Sequence, residues 1–180
     1  MTTRSVSTRY VALLRGVNVG GRTSLPMADL RAVFTDLGFG EVATYIQSGN
    51  AVFTSDARVD PEDLGRSLSG ALGRDIATMV RTAAEVQAVL DHTPFAHEPA
   101  TERHVGFLAS APARSVIDGL DLAAFAPEAG AIVGAEVHLH LPSGMGRAKL
   151  PVHLGRVLGG PVTYRNWRTV TKLAELAGAG

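Results

Sequence analysis

An α+β fold made by duplication is predicted for this chain on three observations. Apolar runs that alternate with period two, and apolar stripes at helical spacing, follow one another in the order βαββαβ. That order occurs twice along the 180 residues, each time followed by one more helix. Between the two passes lies a Pro-containing stretch with no periodicity, DHTPFAHEPAT at 91–101, which marks a boundary.

Residues 10–14 are an apolar, β-compatible run stopped by the Gly-rich segment RGVNVGG, and so read as a buried strand. Ser24 is the expected N-cap and Pro26 the first-turn residue of a helix, on which Met27, Leu30, Val33, Phe34 and Leu37 recur until Gly38. Residues 42–46 and 51–54 are two strands of a hairpin turned by Gln47, Ser48, Gly49 and Asn50. Asp60 and Pro61 open a second helix carrying Leu64, Leu68 and Leu72, closed by Gly73, and Ile76, Thr78 and Val80 then alternate as a strand. Thr82 is placed to cap a short helix with Val86, Val89 and Leu90 on one face.

The second pass starts with a strand over 105–109. A helix over 115–125 with Val116, Leu120 and Phe125 follows, then a hairpin of 131–133 and 137–141 around Gly134 and Ala135. A helix near 148–158, a short strand at 162–164 and a terminal helix through Leu173 and Leu176 complete the chain. The expected organisation is an N-terminal ferredoxin-like subdomain with its linker helix over 1–91, a linker over 92–102, and a C-terminal ferredoxin-like subdomain with its terminal helix over 103–180. Each unit sets helices against one face of an antiparallel sheet and leaves the other face to be covered. With only 10 aromatic residues but 46% hydrophobic ones, at least partial mutual coverage of those faces is expected.

Composition excludes several classes. Charged residues make up 19% against the 46% apolar fraction, which is not the balance of a disordered segment. There is no Cys, so disulfide scaffolds, thiolate metal sites and cysteine nucleophiles are excluded. The polar start MTTRSVSTRY lacks the apolar centre of a signal peptide, and no stretch has the length of a membrane span, so a cytoplasmic protein without membrane partners is expected. Net charge is zero but segregated. Residues 1–28 hold four Arg and no acid, residues 29–136 hold sixteen acids against seven Arg, and residues 137–180 hold six basic residues against Glu175 alone. A local positive field that gathers anions is therefore compatible with a neutral total.

The segments YVALLRGVNVGG, LPMADLRAVF, TYIQSGNAVF, GRAKL and TYRNWRTVTKLAEL resemble the bacterial family called domain of unknown function (DUF) 1697, from about Arg9 to Ala177. The resemblance implies a duplicated ferredoxin-like α+β fold and no established activity.

Four segments carry the candidate binding residues. RGVNVGGR, at 15–22, joins a strand to a helix; its glycines at 16, 20 and 21 permit close backbone approach, so Asn18, Gly20 and Gly21 form a candidate anion concavity flanked by Arg15 and Arg22. It lacks the GK[ST] of a Walker loop and the spacing of GxGxxG, and a tight connection would use the same residues. In TYIQSGN, Gln47, Ser48 and Asn50 offer amides and a hydroxyl, although any hairpin needs such residues. PSGMGRAKL, at 142–150, adds Arg147 and Lys149. In TYRNWRT, Asn166 is placed to cap a helix begun by Trp167, with Arg165 as the ligand-facing fork and Arg168 beside it; Trp167 suits either packing or stacking. His138 and His140 share one strand face, read as an outer polar face rather than a metal pair because no third ligand has suggestive spacing. No metal site and no cofactor are expected.

The expected function is a binding module for a phosphate-bearing small molecule or nucleotide, held in a basic cleft between the subdomains. Nucleic acid is weakly supported, since the aromatic strand pattern of an RNA recognition fold is missing. The alternatives are an enzyme acting on a phosphorylated substrate, for which Tyr45, Tyr164 or a histidine would supply the titratable group, and an interaction protein that forms a homodimer through open sheet faces.

Overall fold

The computed structural model describes residues 7–21 and 24–178. The first pass comprises β1 (Thr8–Leu14), α1 (Met27–Asp36), β2 (Gly40–Thr44), β3 (Asn50–Ser55), α2 (Pro61–Leu72), β4 (Thr78–Thr82) and α3 (Ala83–Asp91). The second comprises β5 (Arg103–Leu108), α4 (Arg114–Asp118), β6 (Ala129–Val133), β7 (Glu136–His140), α5 (Leu150–Val157), β8 (Val162–Asn166) and α6 (Trp167–Gly178). The strands form two antiparallel sheets, ordered β2-β3-β1-β4 and β6-β7-β5-β8. These are one topology used twice, the ferredoxin-like arrangement. By packing, the first unit is Met1–Gln87 with Leu173–Gly180, and the second is Ala88–Lys172.

Register aligns the two copies residue by residue. Val11 stands opposite Val52 and Arg81. Val105 stands opposite His138 and Arg165. Arg9 thus corresponds to Arg103, Val52 to His138, Arg81 to Arg165, and Ala83 at the start of α3 to Trp167 at the start of α6. The helix entrances match in kind as well. Thr82 Oγ1 accepts from Glu85 N–H at 3.2 Å while the Glu85 carboxylate accepts from Thr82 N–H at 2.7 Å, a capping box. In the second copy Asn166 Oδ1 accepts from Thr169 N–H at 2.8 Å.

In the first unit Tyr10, Ala12 and Leu14 point with Phe53 into a core shared with Leu30, Phe34, Leu64 and Leu68. Phe53 lies 4.6 Å from Phe39, 5.0 Å from Phe34 and 5.6 Å from Tyr10 between ring centroids. Residues on the opposite face of β1, Val11 and Leu13, are also fully buried, which is why this strand reads as a continuous apolar run instead of an alternating one. The second core gathers Val137, Leu139 and Leu141 against Leu150, Leu154 and Leu158.

Three local expectations are corrected. Ser24 does not cap α1: the helix starts at Met27, and Pro26 holds the cap position with φ −59° and no side-chain cap bond. Proline sets the entrance by its fixed φ. The helix expected over 115–125 is broken into α4 and a single 3-10 turn at Leu122–Phe125, because Gly119 takes the C-cap position. His138 does not lie on an outer polar face; it is 2% exposed, since β7 has a neighbour on each side and its non-core face is buried too.

Candidate functional site

In the first unit two of the sequence motifs meet. Where β1 ends, the N–H of Leu14 donates to the carbonyl of Gly49 at 2.8 Å and that of Arg15 to Ala77 at 2.9 Å. The chain then turns through positive φ at Gly16 (70°), Asn18 (56°), Gly20 (79°) and Gly21 (70°). Asn18 is the staple of this loop. Its side-chain amide donates to the carbonyls of Leu25 at 2.9 Å and Gln47 at 2.8 Å, and its Oδ1 accepts from Leu25 N–H at 2.6 Å. Both amide hydrogens are spent on the protein itself.

The hairpin turn between β2 and β3 is closed by its own side chains. Asn50, fully buried, donates to the Tyr45 carbonyl at 3.0 Å and to Ser48 Oγ at 2.9 Å. Gly49 has φ 81°, and a Cβ there would stand 2.9 Å from Leu14 Cβ, so only glycine allows the turn to press against the end of β1. Between loop and turn lies a depression of about 280 Å³ lined by Asn18, Gly21, Ser24 and Gln47. Among the described residues, the peptide N–H groups of Gly20 and Gly21, the Ser24 hydroxyl and the Gln47 side-chain amide make no hydrogen bond. Arg15 is exposed at the start of the loop; Arg22 lies outside the described residues.

The other candidates belong to the second unit, where several have roles within the fold. Arg147 sits in a 3-10 turn at Met145–Arg147, and both it and Lys149 are exposed. The entrance of α5 beside them is taken by Glu128, whose carboxylate accepts from Lys149 N–H at 3.0 Å and Leu150 N–H at 2.7 Å. An internal carboxylate thus satisfies the donors that the sequence offers to an anion there. Arg165, the expected ligand-facing fork, is only 7% exposed. It donates to Thr163 Oγ1 at 2.8 Å and to the Tyr164 carbonyl at 2.9 Å, and burial pushes its guanidinium down to about 10. Asn166 caps α6 as expected, and Arg168 is exposed. Trp167 is half-buried with the Arg103 guanidinium 4.2 Å above its ring.

The model of a family described as a protein of unknown function (DUF1697) matches residues 7–138, a span that includes both segments of the first-unit depression. The chain belongs to this family. The DUF1697 match ends within β7, so Arg147, Lys149 and the TYRNWRT segment lie beyond it. No curated protein matches the sequence. A conserved bacterial protein from Streptococcus pneumoniae of known structure is similar over 96% of this chain and 99% of its own, with 22% identity and a TM-score of 0.65. A likeness at that identity carries the duplicated fold and no activity.

Two features had no sequence signal. Arg103 meets Trp167 only because β5 and β8 are paired, which no local motif encodes. His140 accepts or donates at Nε2 with Glu102 at 2.8 Å and lies 3.4 Å from Glu98, so the boundary segment supplies acids to the end of β7. Among the described residues no group of three or more His, Asp or Glu is arranged to hold a metal, and no helix is long and apolar enough to cross a membrane.

Proposed function

We propose that the chain is a binding module for a phosphate-bearing small molecule, and that loop 15–21 with Gln47 holds the phosphate. The observation that carries this reading is the set of unspent donors on residues lining one depression: the Gly21 N–H in a left-handed turn, the Ser24 hydroxyl and the Gln47 amide, with the Gly20 N–H next to them in the chain. Successive peptide N–H groups in such turns form an anion-binding concavity. Size favours a single phosphoryl group over a whole nucleotide, because about 280 Å³ is at the small end of ligand pockets, which run from ~300 to ~1,000 Å³. Arg15, exposed at the start of the loop, adds positive charge on the side of the chain from which the loop departs.

A catalytic reading gains nothing from this geometry. Asn18, Gly21, Ser24 and Gln47 include no group that titrates near neutrality, and general acid–base chemistry needs one within hydrogen-bond reach of the substrate. The test is a titration with inorganic phosphate and a small phosphomonoester followed by amide NMR. Gly20 and Gly21 amide protons are expected to shift downfield in a saturable way, more weakly as salt rises, and Gln47→Ala is expected to lower affinity several-fold, about one neutral hydrogen bond's worth. Unmoved resonances in loop 15–21 at saturating phosphate would overturn the assignment.

A further inference from the structure

We propose that Arg103 and Trp167 form a separate anion subsite in the second unit, taking a single phosphate group on the edge of the Arg103 guanidinium. This site does not rest on the first-unit depression. It shares no residue with it.

The duplication provides the internal control. Arg9 holds the position in the first copy that Arg103 holds in the second, and the two are solved differently. Arg9 is neutralised by Glu41 at 3.2 Å. Glu41 is delivered by an irregular stretch of β2, where pairing with β3 slips between Gly40 and Ala43 and Glu41 takes φ 46°. In the second copy the corresponding edge strand, β6, pairs regularly with β7 and sets Ala129 at that end. Instead of an acid, Arg103 meets an indole: Ala83 of the first copy is Trp167 in the second, and the guanidinium stacks 4.2 Å from its ring. An indole attracts the cation but does not cancel its charge.

The guanidinium lies over the indole with its Nε buried; its Nη groups have no hydrogen-bond partner among the described residues and are not buried as Nε is, so the Nη end of the fork is the part that can grip an oxyanion bidentately. Among the described residues the Arg103 side chain makes no hydrogen bond and no ion pair, and its Nε is buried without a partner. Burial also lowers the pKa of this side chain, the mark of a cation paid no compensation by a nearby carboxylate. The acids closest along the chain are engaged elsewhere: Glu102, next to Arg103, is hydrogen-bonded to His140 at 2.8 Å, and Glu98 lies 3.4 Å from the same imidazole. Arg168 follows Trp167, exposed and without an ion pair among the described residues. An unneutralised guanidinium gains more from a dianionic phosphate than from a monoanionic carboxylate.

Trp167 is the only tryptophan in the chain, so its emission reports on this site directly. Inorganic phosphate titrated at constant ionic strength against chloride is expected to change that emission saturably in the parent protein. Arg103→Lys keeps the charge but loses the planar fork, and is expected to weaken the response about tenfold, the worth of a charge-assisted bidentate contact. Arg103→Met is expected to abolish it, with circular dichroism showing that the variant is folded, while Gln47→Ala leaves it intact. Emission in the parent that does not distinguish phosphate from chloride, or an Arg103→Lys variant that responds like the parent, would overturn the proposal.

Discussion

His138 holds the place in the second sheet that Val52 holds in the first, and it is almost fully buried, with Nδ1 lacking a hydrogen-bond partner among the described residues. Burial disfavours the imidazolium and pushes the group down to about 4. A histidine depressed in the folded state is neutral there while the unfolded chain takes up a proton near pH 6.5, so acid favours unfolding. The contribution is intact above about pH 6.5 and is lost as the pH falls toward 4, at about 1.4 kcal/mol per unit of difference. Denaturant midpoints measured between pH 7 and 4.5 should therefore fall for the parent and fall less for His138→Leu, which removes the titrating ring and places an apolar group where the first copy has one. Parallel pH profiles for the two proteins would show that His138 is not the group responsible. This residue also illustrates where sequence reasoning stops: alternation places His138 and His140 on one face, but only the neighbours of β7 decide that the face is buried. The burial of Arg165 has the same origin, since it is set by the sheet around β8 and no local motif encodes it.

Helix entrances divide into those written locally and those completed from a distance. The Asp60 cap with Pro61, the Thr82 cap and the Asn166 cap are contained in a few consecutive residues, so sequence alone placed them, while the reciprocal bond from Glu85 that makes the Thr82 cap a box was added by the structure. The entrance of α5 is different. Lys149 has no side-chain cap bond of its own, and its N–H and that of Leu150 are satisfied by Glu128 from across the hairpin. Glu128 carries no motif that announces this, and the Arg147 and Lys149 segment consequently looked like a free anion loop. Glu128→Ala should cost about 1–2 kcal/mol, the usual loss for a cap that also carries charge at a helix N-terminus. Glu128→Gln should retain part of that, since an amide oxygen still accepts. Urea denaturation distinguishes the cases, and an alanine variant as stable as the parent would mean that solvent replaces the carboxylate without loss. The broken helix after Arg114 belongs to the same class, since Gly119 leaves its apolar residues in place and stops the backbone.

For the molecule as a whole, duplication was legible because element order repeats even where residues do not, and each copy has the sheet order that βαββαβ requires. What the order does not reveal is that the first unit is discontinuous. It takes Leu173–Gly180 from the far end of the chain, and Leu173, Ala174 and Ala177 are buried. Residues 1–87 thus group with the end of α6 instead of making a unit by themselves. Leu173→Ala should then destabilise the protein by about 2–5 kcal/mol, the range for truncating a buried leucine. Its effect should be uneven. Native-state hydrogen exchange, which resolves cooperative units by their opening free energies, should show β1 and β3 losing protection before β5 and β7, even though Leu173 follows β8 in sequence. Loss beginning in the second sheet would place α6 with the unit it directly follows in the chain. The phosphate response of Trp167 offers an independent readout, because a defect confined to the first unit should leave that response in place.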